Sequence, residues 1–202
     1  MNLQIGQAPS PTFAEPLALL SDCHRRVEYF LDLLDRLGQT AGDAPLAPLE
    51  REALEVGLRY FREAAPRHTA DEESSLFPRL RQSSHPQAAA GLARIDALEA
   101  DHATAAPDHA LVESCGQGWL ATGCLPAERR EVFRLAVLRL QELYRPHIAL
   151  EDGEVFPLAA EILSPKELSL VGAEMAQRRG VSSPPPSNHS KHHVSRSPFQ
   201  TL

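Results

Sequence analysis

The chain has 202 residues, 43% hydrophobic and 5% aromatic, with 27 acidic against 20 basic residues and a net charge of −7. That length suits one domain with a real core, and an apolar set rich in Leu and Ala favours helix over sheet. Every Asp and Glu lies at or before Glu174, and so acidic a body argues against nucleic acid or an anionic membrane surface as partner. Residues 1–14, with Pro9 and Pro11, read as a short N-terminal arm. Four helical patterns follow within residues 15–180. The first carries a stripe of Leu17, Leu20, His24, Val27, Leu31 and Leu34, spaced as one face of a helix. The second runs Leu54, Leu58, Phe61, Ala65, His68, Glu72 and Leu76, and the third Ile95, Leu98, His102, Ala105, His109 and Val112. The fourth runs Phe133, Val137, Leu140, Tyr144, His147, Glu151, Val155, Leu158 and Ile162. Turn-rich gaps at 38–48, 83–86 and about 116–126 separate them. Ser164 as N-cap, Pro165 at the first helical position and Gly180 as stop predict a short fifth helix. Residues 181–202, rich in Ser, Pro and His, read as a disordered tail. The expected fold is all-α: an antiparallel up-down-up-down four-helix bundle with a short fifth C-terminal helix.

The polar residues on these stripes carry the chemistry. His24, His68, Glu72, His102, His147 and Glu151 stand where Leu, Val and Phe otherwise stand, so they face a shared core. Burying that many ionisable groups is costly unless they are paired or bound to metal. The second and fourth helices also repeat one motif: His68, Glu72, Phe77-Pro78 matches His147, Glu151, Phe156-Pro157, both H-x3-E-x4-F-P. His24 precedes His68 by 44 residues and His102 precedes His147 by 45. The chain reads as two related hairpins, each giving one His and one HxxxE, and one layer of the bundle can collect all six side chains. His and Glu four residues apart share a helix face. Two such helices bring two carboxylates to the centre, where each can bridge two cations, with two His nitrogens completing each ion. An imidazole and carboxylate set without thiolate suits iron, manganese or zinc.

The whole pattern, H…HxxxE…H…HxxxE with its Phe-Pro tails and the closing Ser-Pro…Arg-Arg-Gly helix, resembles the hemerythrin-like, or HHE cation-binding, domain of bacterial type. The resemblance implies two iron ions, oxo- or hydroxo-bridged, with His24, His68, His102 and His147 as terminal ligands and Glu72 and Glu151 as bridges. It implies dioxygen, or another small diatomic or peroxide ligand, as partner, and oxygen binding or oxygen and redox sensing as function. The alternatives are a di-iron enzyme acting on nitric oxide or peroxide, and an iron-handling or iron-centre repair protein. Oxygen-carrying hemerythrins have a further His one turn after the third-helix ligand. Ala106 stands there in this chain, which points to an additional open position and favours redox or nitric oxide chemistry over simple oxygen carriage.

The remaining residues are read more plainly. His109 is ~10 Å along the axis from His102 at the standard helical rise, too far to share its ion. His85 falls in a turn, and His189, His192 and His193 in the tail. Pro66, Pro107 and Pro146 should each disturb a helix locally. An odd set of cysteines, Cys23, Cys115 and Cys124, does not read as a disulfide framework. No secretory signal or membrane-spanning run is visible, so a cytoplasmic location is expected, and the tail reads as a spacer or as a partner-binding segment.

Overall fold

A computed structural model describes residues 11–42 and 44–181. Residues 1–10 of the expected arm and 182–202 of the expected tail, including the three tail histidines, lie outside the described residues. Within them the chain is helical, with no strand. Helix α1 spans Pro16–Thr40. A second arm joins α2 (Pro48–Arg59), α3 (Ala65–Asp71) and α4 (Phe77–Gln82) through π turns at Tyr60–Ala64 and Glu72–Leu76. Helix α5 (Ala88–Thr122) forms the third arm. In the fourth, α6 (Ala127–Leu150) passes through a π turn at Glu151–Val155 into α7 (Phe156–Ile162). Helix α8 (Pro165–Arg178) closes the fold.

The three π turns have a common cause. Their closing bonds run from Ala65 N–H to Tyr60 O, from Phe77 N–H to Glu72 O and from Phe156 N–H to Glu151 O. Each donor immediately precedes a proline: Pro66, Pro78 or Pro157. Proline lacks an N–H and its ring crowds the carbonyl one turn back. A wider turn just before it lets the helix continue. The local disturbance expected at Pro66 takes this form, whereas Pro107 and Pro146 sit inside α5 and α6. Two of the wide turns begin at Glu72 and Glu151.

Helix ends largely follow the local code. Ser164 Oγ accepts the Glu167 N–H, the Glu167 carboxylate accepts the Ser164 N–H at 2.8 Å, and Gly180 stops the chain at φ 67°. The third gap is shorter than the glycines predicted, because α5 runs through Gly116 and Gly118 and ends at Gly123, φ 76°. A Cβ at Gly116 would lie 2.6 Å from Leu58 Cδ1, so close packing of α2 on α5 accounts for the glycine there.

Pairs of side chains tie the arms together. Leu34 packs at Gly57, Phe30 on Tyr60 and His24 on His68 between the first and second arms. Arg51 reaches Leu120 O, Arg62 meets Glu113 and Arg81 meets Glu99 between the second and third. Trp119 packs on Phe133, Asp108 pairs with Arg139 and Asp101 with His147 between the third and fourth. Gln141 bonds Asp32 and Asp152 bonds His24 between the fourth and first. The buried apolar residues fall into two clusters. One holds Leu20, Leu76, Leu98 and Val155; the other holds Val27, Leu58, Ala105 and Ile148. A polar layer lies between them. No helix among the described residues is long and apolar enough to cross a membrane.

Candidate metal centre

That polar layer contains all six residues singled out in the sequence. His24, His68, Glu72, His147 and Glu151 are buried, with both glutamates at 0% exposure, and His102 is slightly more open. His24 Nε2 lies 3.0 Å from Glu151 Oε2 and 3.7 Å from Glu72 Oε1. His68 Nε2 lies 3.2 Å from Glu72 Oε1, and His102 Nε2 lies 3.6 Å from Glu72 Oε2. His147 Nε2 lies 3.3 Å from Glu151 Oε2. The imidazoles fall into two pairs, each from one hairpin: His24 with His68 at 4.9 Å between ring centroids, and His102 with His147 at 4.7 Å. Donor atoms of His24, His68, Glu72 and Glu151 form one group close enough to hold an ion. Those of His102, His147 and Glu151 form a second, so Glu151 belongs to both. Glu72 likewise presents one oxygen to each pair of histidines.

Three acidic residues that sequence reasoning missed hold the imidazoles in place. Asp152 Oδ1 lies 3.0 Å from His24 Nδ1 and also accepts the Ser21 hydroxyl at 2.7 Å. Glu73 Oε1 lies 2.8 Å from His102 Nδ1, and Asp101 Oδ2 lies 3.3 Å from His147 Nδ1. A carboxylate on Nδ1 keeps that nitrogen protonated and turns the Nε2 lone pair inward. The signal was present: each central glutamate is followed by another acid, Glu72-Glu73 and Glu151-Asp152, and each of these reaches the lone His of the other hairpin. The symmetry breaks at His68, whose Nδ1 has no hydrogen-bond partner.

The electrostatics of the layer are those of a cluster that shares protons. Burial and the charge of Glu151 push the Glu72 carboxyl well above its usual range. Burial pushes Glu151 the same way, but the close imidazoles of His147 and His24, at 3.3 and 3.0 Å, outweigh it and hold the carboxylate down at about 2. Burial alone would depress His24, yet Glu151 and Glu72 raise it to about 10. His68 is lowered to about 3 by burial and then by the nearby His24 charge. Even so, both oxygens of Glu72 and both of Glu151 lack a hydrogen-bond partner. Four buried, unpartnered carboxylate oxygens facing imidazole nitrogens fit a cation, which would satisfy them all and take the place of the shared protons.

Around this layer the other expectations resolve. His109 does not join it: its Nε2 lies 2.9 Å from the Tyr144 hydroxyl, and its ring packs on Phe61. Tyr144 in turn stands edge-on to His147, so His109 reaches the layer at one remove. His85 is exposed in the loop before α5. Ala106 is also exposed, while Ala105 is buried at 1% and faces inward. The helical phase of α5 therefore turns position 106 to solvent and Ala105 into the apolar cluster with Val27. All three cysteines are free.

Comparison with known proteins agrees with this geometry. An uncharacterized protein of Haemophilus influenzae is 31% identical over 182 residues, which cover 84% of this chain and 93% of that one. The family model described as hemerythrin HHE cation binding domain matches residues 15–159. The chain belongs to the hemerythrin HHE cation-binding domain family.

Proposed function

We propose that this chain is a non-haem di-iron protein that binds dioxygen or senses oxygen and redox state. The carrying observation is the pair of fully buried glutamates whose four carboxylate oxygens make no hydrogen bond and sit among imidazole nitrogens. In this reading His24 and His68 would hold one iron and His102 and His147 the other, with Glu72 and Glu151 offering carboxylate oxygens to both. The bundle runs antiparallel, up-down-up-down. In its support, the residue numbers of paired side chains rise along one arm as they fall along the next, as in His24–His68 and Phe30–Tyr60. Iron supplies coordination of a small diatomic and one-electron chemistry at such a site. The chain's residues orient the imidazoles through Asp152, Glu73 and Asp101 and exclude bulk water with an apolar cluster on either side.

A second reading, turnover of nitric oxide or peroxide, draws on Tyr144. Its phenol is hydrogen-bonded to His109 beside His147, and burial keeps it protonated. That places a proton source next to the layer. Metal analysis of protein purified without added metal, with visible spectra taken anaerobically and then in air, tests the first reading. Two irons per chain and a spectrum that cycles reversibly with oxygen support it. An intact fold that takes up no metal sinks it. Catalytic loss of peroxide or nitric oxide that falls in Tyr144→Phe with metal content unchanged favours the second.

A further inference from the structure

The four imidazoles are not equally covered. The side chains of His68 and His102 are each 8% exposed, against 2% for His24 and His147. These two rings, one from each pair, come from the second and third arms, which meet at a seam where Arg81 pairs with Glu99. A groove of about 630 Å³ lies along that seam, lined by Thr69, Glu73, Ser74, Glu99, His102 and Ala103. Thr69 follows His68 in sequence and Ala103 follows His102, so small side chains next in sequence to the two histidines line the groove from facing helices. The π turn that begins at Glu72 brings Glu73 and Ser74 to the same wall. His102 itself forms part of the lining. By contrast, a groove on another face ends at Tyr144, which is tied to His109.

The charge of the groove is one-sided. Its ionisable lining is Glu73, Glu99 and His102, with no Lys or Arg. Arg81 pairs with Glu99 from outside the lining, at 2.6 Å. Glu73 is the residue that holds His102 Nδ1. A carboxylate-lined path raises the local concentration of cations and opposes anions.

We propose that this seam is the port of the metal centre, admitting divalent cations and small uncharged ligands and disfavouring anions. The proposal rests on the reading of the polar layer as a metal site. It concerns the path alone, so it predicts changes in rate that leave capacity intact.

The probe is Co2+ uptake by the metal-free full-length protein, followed by stopped-flow absorbance, with the melting temperature and final stoichiometry measured in parallel. Ala103 and Ser74 are both exposed, so a large side chain at either can plug the groove without entering the core. Ala103→Trp is expected to slow uptake about tenfold, within the range over which access and steering alter association rates. Ser74→Trp plugs the opposite wall and should do the same, and it serves if the first variant fails to fold. Ala110→Trp, exposed on the same helix but outside the groove, should load like the parent chain. Glu99→Lys should slow uptake at low ionic strength, and the difference should shrink as salt screens it. Correctly folded Ala103→Trp and Ser74→Trp proteins that load at the parental rate overturn the port. A Glu99→Lys protein that loads at the parental rate in low salt overturns its charge selectivity. A parent chain that takes up no Co2+ overturns the metal-site reading itself, an outcome distinct from parental rates in the plugged variants.

Discussion

At the scale of single residues, the supporting acids orient the imidazoles of the central layer. Asp152 fixes the His24 ring through Nδ1, and Ser21 holds Asp152. Asp152→Asn keeps the size but removes the charge that favours the correct tautomer. Loss of such a partner costs about 10–100-fold in metal affinity, which competition with a chromophoric chelator measures; unchanged affinity would count against an orienting role. His109 offers a separate test because it lies outside the layer. Burial lowers it to about 4 from an ordinary 6.5. Its folded-state pKa is depressed, so the unfolded chain binds more protons between those values. Its contribution is full above 6.5 and is lost as pH falls through about 4, up to roughly 3 kcal/mol. His109→Gln, which retains a partner for Tyr144, should flatten the decline in melting temperature across that window relative to the parent. An identical slope in the two proteins removes His109 as the cause.

At the scale of elements, α8 is fastened to the arm that carries Glu72. Asp71, fully buried, pairs through Oδ1 with Arg178 at 2.8 Å and through Oδ2 with Arg179 at 2.6 Å. Arg178 also bonds Ser75 Oγ, and Arg79 makes a two-pronged pair with Glu174. The Arg-Arg-Gly that ends the fifth helix is thus a clamp on the π turn following Asp71. Substituting both Arg178 and Arg179 with Gln strands a buried carboxylate, which costs about 3–5 kcal/mol. Adding Asp71→Asn should recover part of that loss, and denaturant unfolding reads both. Failure of Asp71→Asn to recover anything would locate the damage in packing rather than in charge.

At the scale of the whole molecule, a polar layer splits one bundle core into two apolar clusters. The fold therefore carries a group of unpartnered carboxylate oxygens at its middle, where a bound cation would join the two halves. Anything that binds only the folded state stabilises it, by about 2.7 kcal/mol when free ligand is 100 times Kd. Chelation should lower the melting temperature, and readdition of the removed metal should restore it. A verified metal-free protein with the same melting temperature would argue against that coupling. Metal must also displace protons from His24, held at about 10, and from the raised Glu72. Apparent affinity should accordingly rise with pH through neutrality, as pH-dependent chelator competition would show.

The sequence by itself was enough to place four helical arms, the cap and stop of α8, and the six residues of the polar layer. All of these are periodic or local: helical phase puts His24 on the Leu20 and Val27 face, and Ser164, Pro165 and Gly180 act within a turn of themselves. Periodicity also showed that His109 lies too far along its helix from His102. Other features depended on what each residue meets across the bundle. Gly116 looks like a turn residue in sequence, but it lies inside α5, where the nearness of Leu58 leaves no room for a Cβ. Ala106 stands one turn after His102 in sequence, yet the phase of α5 leaves it exposed and buries Ala105. Asp152, Glu73 and Asp101 reach histidines 128, 29 and 46 residues away in sequence. Spacing within one helix encodes which side chains share a face; only the packing of four arms decides which face meets which, and so which acid holds which imidazole.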